Sequence, residues 1–211
     1  MFRDQTRLTR LIWLALVLAA GEALFTQRFS LAFIALITLG LSMAPVYVAR
    51  WAEITVPKGF MLAVVMFVGG TIFLGEVFEF YDRFWWWDIA MHGGSAIGFG
   101  LIGFVLVFMM FQGDRFAAPP LAIALFAFCF AVAIGAMWEI FEFTMDQLFG
   151  TRMQKSGLMD TMGDLIVDCG GALIGSGSGY AYLKGRQFGG MTGVIEDFVK
   201  RNPRFFRKWR R

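Results

Sequence analysis

Six apolar segments decide what this chain can become. They lie near residues 9–26, 30–49, 59–81, 86–112, 118–143 and 160–183, and each approaches the roughly 20 apolar residues a helix needs to cross a bilayer. Unbroken apolar runs with interior glycines favour helices over outer-membrane strands, which would alternate apolar and polar residues. Composition agrees, with 58% hydrophobic residues, 17% charged residues and a mean hydropathy of +0.63, values far from those of a soluble globule. The expected fold is all-α: a polytopic membrane helix bundle of about six transmembrane helices. Residues 1–183 would form one transmembrane domain and 184–211 a basic cytoplasmic tail.

Basic residues set the expected orientation. One side of the bundle carries Arg3, Arg7, Arg10, Arg50, Lys58, Arg115 and the nine basic residues of the tail; the other holds Arg28, Arg83, Arg152 and Lys155. The split of fifteen against four puts both termini on the cytoplasmic side. The first segment also resembles a signal peptide with small residues around Ala19–Ala23, but Glu22 and an immediate second span favour an uncleaved helix. Most of the net +3 charge flanks apolar spans, so nucleic acid is not an expected partner. Cys129 and Cys169 sit in apolar segments with no metal-type spacing and read as buried free thiols.

Against this background the acids are concentrated. Ten of the sixteen acidic residues, and the single histidine, fall in two stretches that echo each other. The first has Glu76, Glu79 and Asp82, then Asp88, His92 and Gly93-Gly94. The second has Glu139, Glu142 and Asp146, then Asp160, Asp164, Asp168 and Gly170-Gly171. The hairpins 59–112 and 118–183 share an orientation and so form a parallel repeat, with sites expected at the repeat interface. The second copy has a longer connector between its helices, read as ordinary loop variation in preference to a lid. By the orientation above, both acidic stretches face the extracytoplasmic side.

Helical spacing brings these side chains together. Glu76 and Glu79 are i,i+3, as are Glu139 and Glu142; Asp88 and His92 are i,i+4, as are Asp164 and Asp168. A charged residue at mid-helix in lipid costs roughly 2.5–3.5 kcal/mol, and clustered carboxylates repel one another. The nearby cations cannot balance ten acids, so a metal ion or bound protons would supply the missing positive charge, and a divalent metal ion is the preferred expectation. Its candidate ligands are Glu76, Glu79, Asp88, His92, Glu139, Glu142, Asp164 and Asp168. Carboxylates with one imidazole suit Mg²⁺, Mn²⁺ or Ca²⁺, with Zn²⁺ or Fe²⁺ also compatible through His92. The plainer alternative makes Asp88 and Asp160 helix caps and leaves Asp82 and Asp146 solvated. Gly94 with Gly98, and Gly171 with Gly175 and Gly179, read as small-residue helix packing.

The Glu-x-x-Glu-Phe, Asp-x-x-x-His-Gly-Gly and Gly-Asp-x-x-x-Asp runs resemble those of the YjdF-like family of small bacterial inner-membrane proteins, over about residues 60–183. That resemblance implies a multi-pass inner-membrane fold; the family is functionally uncharacterised and implies no reaction.

Three function classes follow. In the first, a metal-dependent hydrolase or transferase acts on a lipid-linked substrate at the outer leaflet, with Glu79 or Glu142 moving the proton. In the second, the metal stabilises a structural or assembly protein. A cation or proton transporter ranks third, because the inner halves of the last four helices carry almost no polar groups. The bilayer is the expected partner, with anionic lipids at the tail, which would lie on the leaflet with Phe205, Phe206 and Trp209 toward it. Small-residue faces permit a homo-oligomer or a membrane-protein partner.

Overall fold

The computed structural model describes residues 5–112, 114, 118–186 and 189–209. Arg3, Arg115, Arg210 and Arg211, all used in the orientation argument, lie outside them. The described residues form helices α1 (Arg7–Phe25), α2 (Phe29–Trp51), α3 (Lys58–Val68), α4 (Phe80–Arg83), α5 (Trp87–Met110), α6 (Pro120–Phe149), α7 (Leu158–Leu183) and α8 (Gly190–Arg201). A π-helical segment, Gly69–Val77, continues α3, and a 3-10 turn, Pro203–Phe205, follows α8. The protein is an all-helical polytopic membrane bundle. Among the described residues, five helical stretches are long and apolar enough to cross a membrane: α1, α2, α3 with its π-helical continuation to Val77, α5 and α6. α7 has the length, at 26 residues, but its aspartates and its Gly-Ser run lower its hydropathy.

The chain divides into two compact units, Met1–Trp87 and Asp88–Arg211. In the first, Trp13, Val46, Met61 and Val65 form a core flanked by Ile12, Leu39, Met43 and Val56. The Trp13 indole would be costly to bury unpaired in an apolar setting, and it donates to Ser42 Oγ at 3.1 Å. Ala20, Ala23, Ala32 and Ala35 are buried where α1 meets α2, the small-residue contact that membrane helices use in place of hydrophobic collapse. Leu14, Leu18, Phe25, Phe29 and Phe33 point outward, as lipid-facing residues should.

The expected third span, 59–81, is not one helix. α3 gives way at Gly69 to the π-helix, which ends at Val77. Glu79 adopts a left-handed conformation at φ 56° before the short α4. Three glycines weaken α-helical geometry in this stretch, and at Gly75 the Tyr81 ring occupies the space a Cβ would need. Glu76 and Glu79 therefore do not share a face of a continuous helix, which corrects the i,i+3 expectation. The second copy keeps that expectation: α6 runs unbroken through Glu139 and Glu142 to a left-handed Gly150 cap. The sequence repeat is not a repeat of local structure.

In the second unit, Pro119 and Pro120 open α6 as expected. α5 and α7 approach backbone to backbone through glycines: a Cβ on Gly171 would meet the Gly93 carbonyl oxygen at 2.6 Å, and one on Gly100 would meet the Gly175 Cα at 3.0 Å. Gly179 lies against the Phe104 ring. Gly94 and Gly98, the pair expected to pack, have nothing within 4 Å; Gly93 and Gly100 take that role. The thiols also differ from expectation, Cys129 being exposed and Cys169 half-buried.

The tail departs most from its expected form. Phe206 is 1% exposed and packs on Phe108 and Phe198. Trp209 stacks on Tyr182 with ring centroids 5.3 Å apart and meets Phe108 edge-on. Lys208 pairs with Asp114 at 3.5 Å. An amphipathic helix can bury its apolar face in lipid or in protein, and here α8 buries Ile195, Phe198 and Val199 within the described unit.

Candidate metal centre

Three helices of the second unit build the site. α5 supplies Asp88 and, one turn on, His92; α6 supplies Glu139 and Glu142; α7 supplies Asp164 and Asp168. The glycine contact between α5 and α7 at Gly93 and Gly171 seats His92 beside the two aspartates, because no side chain holds those backbones apart.

The imidazole is the centre of the arrangement. Its Nε2 lies 3.8 Å from Asp88 Oδ1, 3.9 Å from Glu139 Oε1 and 3.9 Å from Asp164 Oδ2. The opposite nitrogen, Nδ1, lies 3.4 Å and 3.5 Å from the two oxygens of Asp168. Ligand atoms of Asp88, His92 and Asp164 all fall within 4.8 Å of one another. With two sides of 3.8 and 3.9 Å and a third of at most 4.8 Å, a point equidistant from the three atoms lies at most about 2.5 Å from each, within the range of about 2.0–2.6 Å for ligands of divalent ions. The donor set thus fits such an ion.

Burial sharpens the picture. Glu139 is 4% exposed, and neither of its carboxylate oxygens has a hydrogen bond of good geometry, although the Thr161 hydroxyl is near enough to interact with it. Asp168 is 1% exposed, and its Oδ1 is also without a well-formed hydrogen bond. Asp88 differs, its side chain being 24% exposed, so the cluster opens outward on its side. Glu142 is buried and fixed by the Trp138 indole, which donates to Oε1 at 2.9 Å. It stands close enough to feel the charges of Glu139, His92 and Asp88.

The structure therefore brings Asp88, His92, Glu139, Asp164 and Asp168 together, with Glu142 adjoining. Glu76 and Glu79 belong to the first unit, where both are exposed and Glu79 is bonded to Arg83 at 3.2 Å. Sequence spacing missed two contributors, Trp138 and Gly135. Trp138 sits one turn before Glu142, a readable i,i+4 signal. Gly135 gives Asp168 its place: a Cβ there would run into the Asp168 carboxylate. Asp146 is solvent-accessible, as expected, and also anchors the following loop by accepting from the Thr151 hydroxyl and from the Met153 and Gln154 amides at 2.6–3.0 Å.

Comparison with known proteins places the chain in a family. A protein of Thermotoga maritima, named only as an uncharacterized protein, is similar at 32% identity over 99 residues, 45% of this chain and 48% of that protein. The match thus spans about half the length of that relative. No solved structure matches the chain. The family match takes in the first two spans, beyond the region that the YjdF-like motifs cover. Matching from residue 7 to residue 185, the chain belongs to the family described as predicted membrane protein, DUF2238.

Proposed function

We propose that this is a multi-pass inner-membrane protein, with both termini cytoplasmic, whose second unit holds one divalent ion on Asp88, His92, Glu139 and Asp164. The ion would serve hydrolysis or transfer of a lipid-linked group at the extracytoplasmic surface. Glu139 carries this reading. A buried carboxylate without well-formed hydrogen bonds costs several kcal/mol, and around Glu139 stand other carboxylates, the His92 imidazole and the Thr161 hydroxyl. One imidazole faces five carboxylates, and a dication would supply the further positive charge.

Asp168 takes a part other than the ligand role expected of it. Accepting from Nδ1–H, it fixes the tautomer that leaves the Nε2 lone pair for the ion, the carboxylate–histidine–metal relay of many metal sites. Glu76 and Glu79 are given no part in the ligand set. Oxygen donors outnumber the single imidazole, which favours Mg²⁺, Mn²⁺ or Ca²⁺. The partial exposure of Asp88 supports a catalytic role over a structural one, since structural sites are closed by protein ligands. Bound there, the ion would supply Lewis-acid polarisation of the group under attack. Glu142, oriented by Trp138, is the residue to accept and return the proton. The exposed Lys200, Arg201, Arg204, Arg207 and Lys208 suit an anionic cytoplasmic leaflet.

The test is turnover by full-length protein in vesicles, given a panel of lipids with ester and phosphoester bonds and Mg²⁺ or Mn²⁺. The expected result is ion-dependent cleavage that falls about 100-fold or more in Glu142→Gln while the ion stays bound. An ion that raises thermal stability with no cleavage of any lipid would move the assignment to a structural metal protein.

A further inference from the structure

The loop between α6 and α7 is tied to the open side of the cluster. Asp146 holds its first half through Thr151, Met153 and Gln154. The Gln154 side chain donates to the Thr161 hydroxyl at 2.6 Å, and the Lys155 amide donates to Asp160 Oδ2 at 3.1 Å. Asp160 lies one helical turn before Asp164, so the Lys155 backbone is tied to the turn of α7 that precedes that ligand. Its side chain is exposed, and its charge reaches Asp88, the one partly exposed member of the cluster. The loop therefore brings a cation, on a tethered backbone, toward the open side of an otherwise acidic site.

We infer that the group received at this mouth is a phosphate, held between the ion and the Lys155 ammonium. The inference rests on the metal reading above and names its substrate class. Without an ion, Asp88, Asp160, Asp164 and Glu139 repel any anion. With the ion in place the same mouth pairs a hard dication with a point-charge ammonium, a combination suited to phosphate oxygens. Phosphate entry is then conditional on the ion, and by linkage phosphate tightens the ion in return. The phosphate could sit on a lipid headgroup or be free, and the two sources separate experimentally.

The experiment uses Mn²⁺ added to full-length protein in dodecyl maltoside, with electron paramagnetic resonance to count bound ion. Phosphorus-31 relaxation is then recorded for inorganic phosphate, dihexanoyl phosphatidic acid and dihexanoyl phosphatidylcholine. The expected result is saturable broadening of phosphatidic acid, absent without Mn²⁺ and absent with phosphatidylcholine. Lys155→Met should weaken the phosphate affinity roughly tenfold, Lys155→Arg should restore most of it, and Arg152→Met should change it little. Equal broadening of inorganic phosphate supports the phosphate site and assigns it to the free anion. Bound Mn²⁺ with no broadening, or a Lys155→Met protein indistinguishable from wild type, overturns the inference. Failure to bind Mn²⁺ at all would instead remove the metal reading beneath it.

Discussion

Asp168→Asn should lower the affinity for a divalent ion by about 10- to 100-fold while leaving the helices intact. The magnitude is that of losing the carboxylate behind a metal-binding histidine. Asn keeps the volume but loses the charge that favours Nδ1–H, and its amide group can offer a donor where an acceptor is needed. The same change removes a buried carboxylate with one oxygen lacking a good hydrogen bond. The metal-free variant should therefore be at least as stable as the wild type. Competition with a fluorescent chelator measures the first effect, and thermal unfolding of the metal-free protein the second. Gly135→Ala should reproduce the affinity loss from the opposite helix, because its methyl group displaces the Asp168 carboxylate. Unchanged affinity in both variants would show that Asp168 does not act through His92.

Phe206→Ala should destabilise the second unit by about 3–5 kcal/mol, the range for truncating a fully buried phenylalanine. Phe206 lies among Phe108, Phe198 and the rings that join Trp209 to Tyr182, so the loss should extend to the docking of the whole tail. Limited proteolysis after Arg201 in detergent reads this directly: the wild type should resist cleavage and the variant should be cut rapidly. Arg204→Ala, on the exposed side of the same segment, should leave resistance unchanged. A tail equally protected in Phe206→Ala would mean that its aromatic contacts contribute little.

Helix positions were legible because a bilayer demands apolar length, and five of the six expected spans match single helices to within a turn or two. The sixth, 59–81, is long and apolar enough as Lys58–Val77 but changes helix type within its length, for a backbone reason. Apolarity reports burial and says nothing of hydrogen-bond register, so the passage from α3 into a π-helix at Gly69 left no mark in the hydrophobic pattern. The shared face expected of Glu76 and Glu79 is lost on that account, whereas Glu139 and Glu142 keep their i,i+3 face on the unbroken α6. The residues gathered around His92 were readable as i,i+4 pairs on α5 and α7. Which carboxylate faces which imidazole nitrogen was not, since spacing along a helix fixes a face and not the partner across from it. The tail was ambiguous in the same way: Phe206 and Trp209 mark an apolar face without saying whether lipid or Phe108 and Tyr182 will cover it.

The central claim is that His92 and its surrounding carboxylates hold a metal ion. Elemental analysis of the purified full-length protein, wild type beside His92→Ala and Asp164→Asn, tests it most directly. The account predicts one divalent ion per chain in the wild type and none above background in either variant. A wild type that holds no ion after loading with Mg²⁺, Mn²⁺, Ca²⁺, Zn²⁺ or Fe²⁺, or variants that keep a full complement, would contradict it.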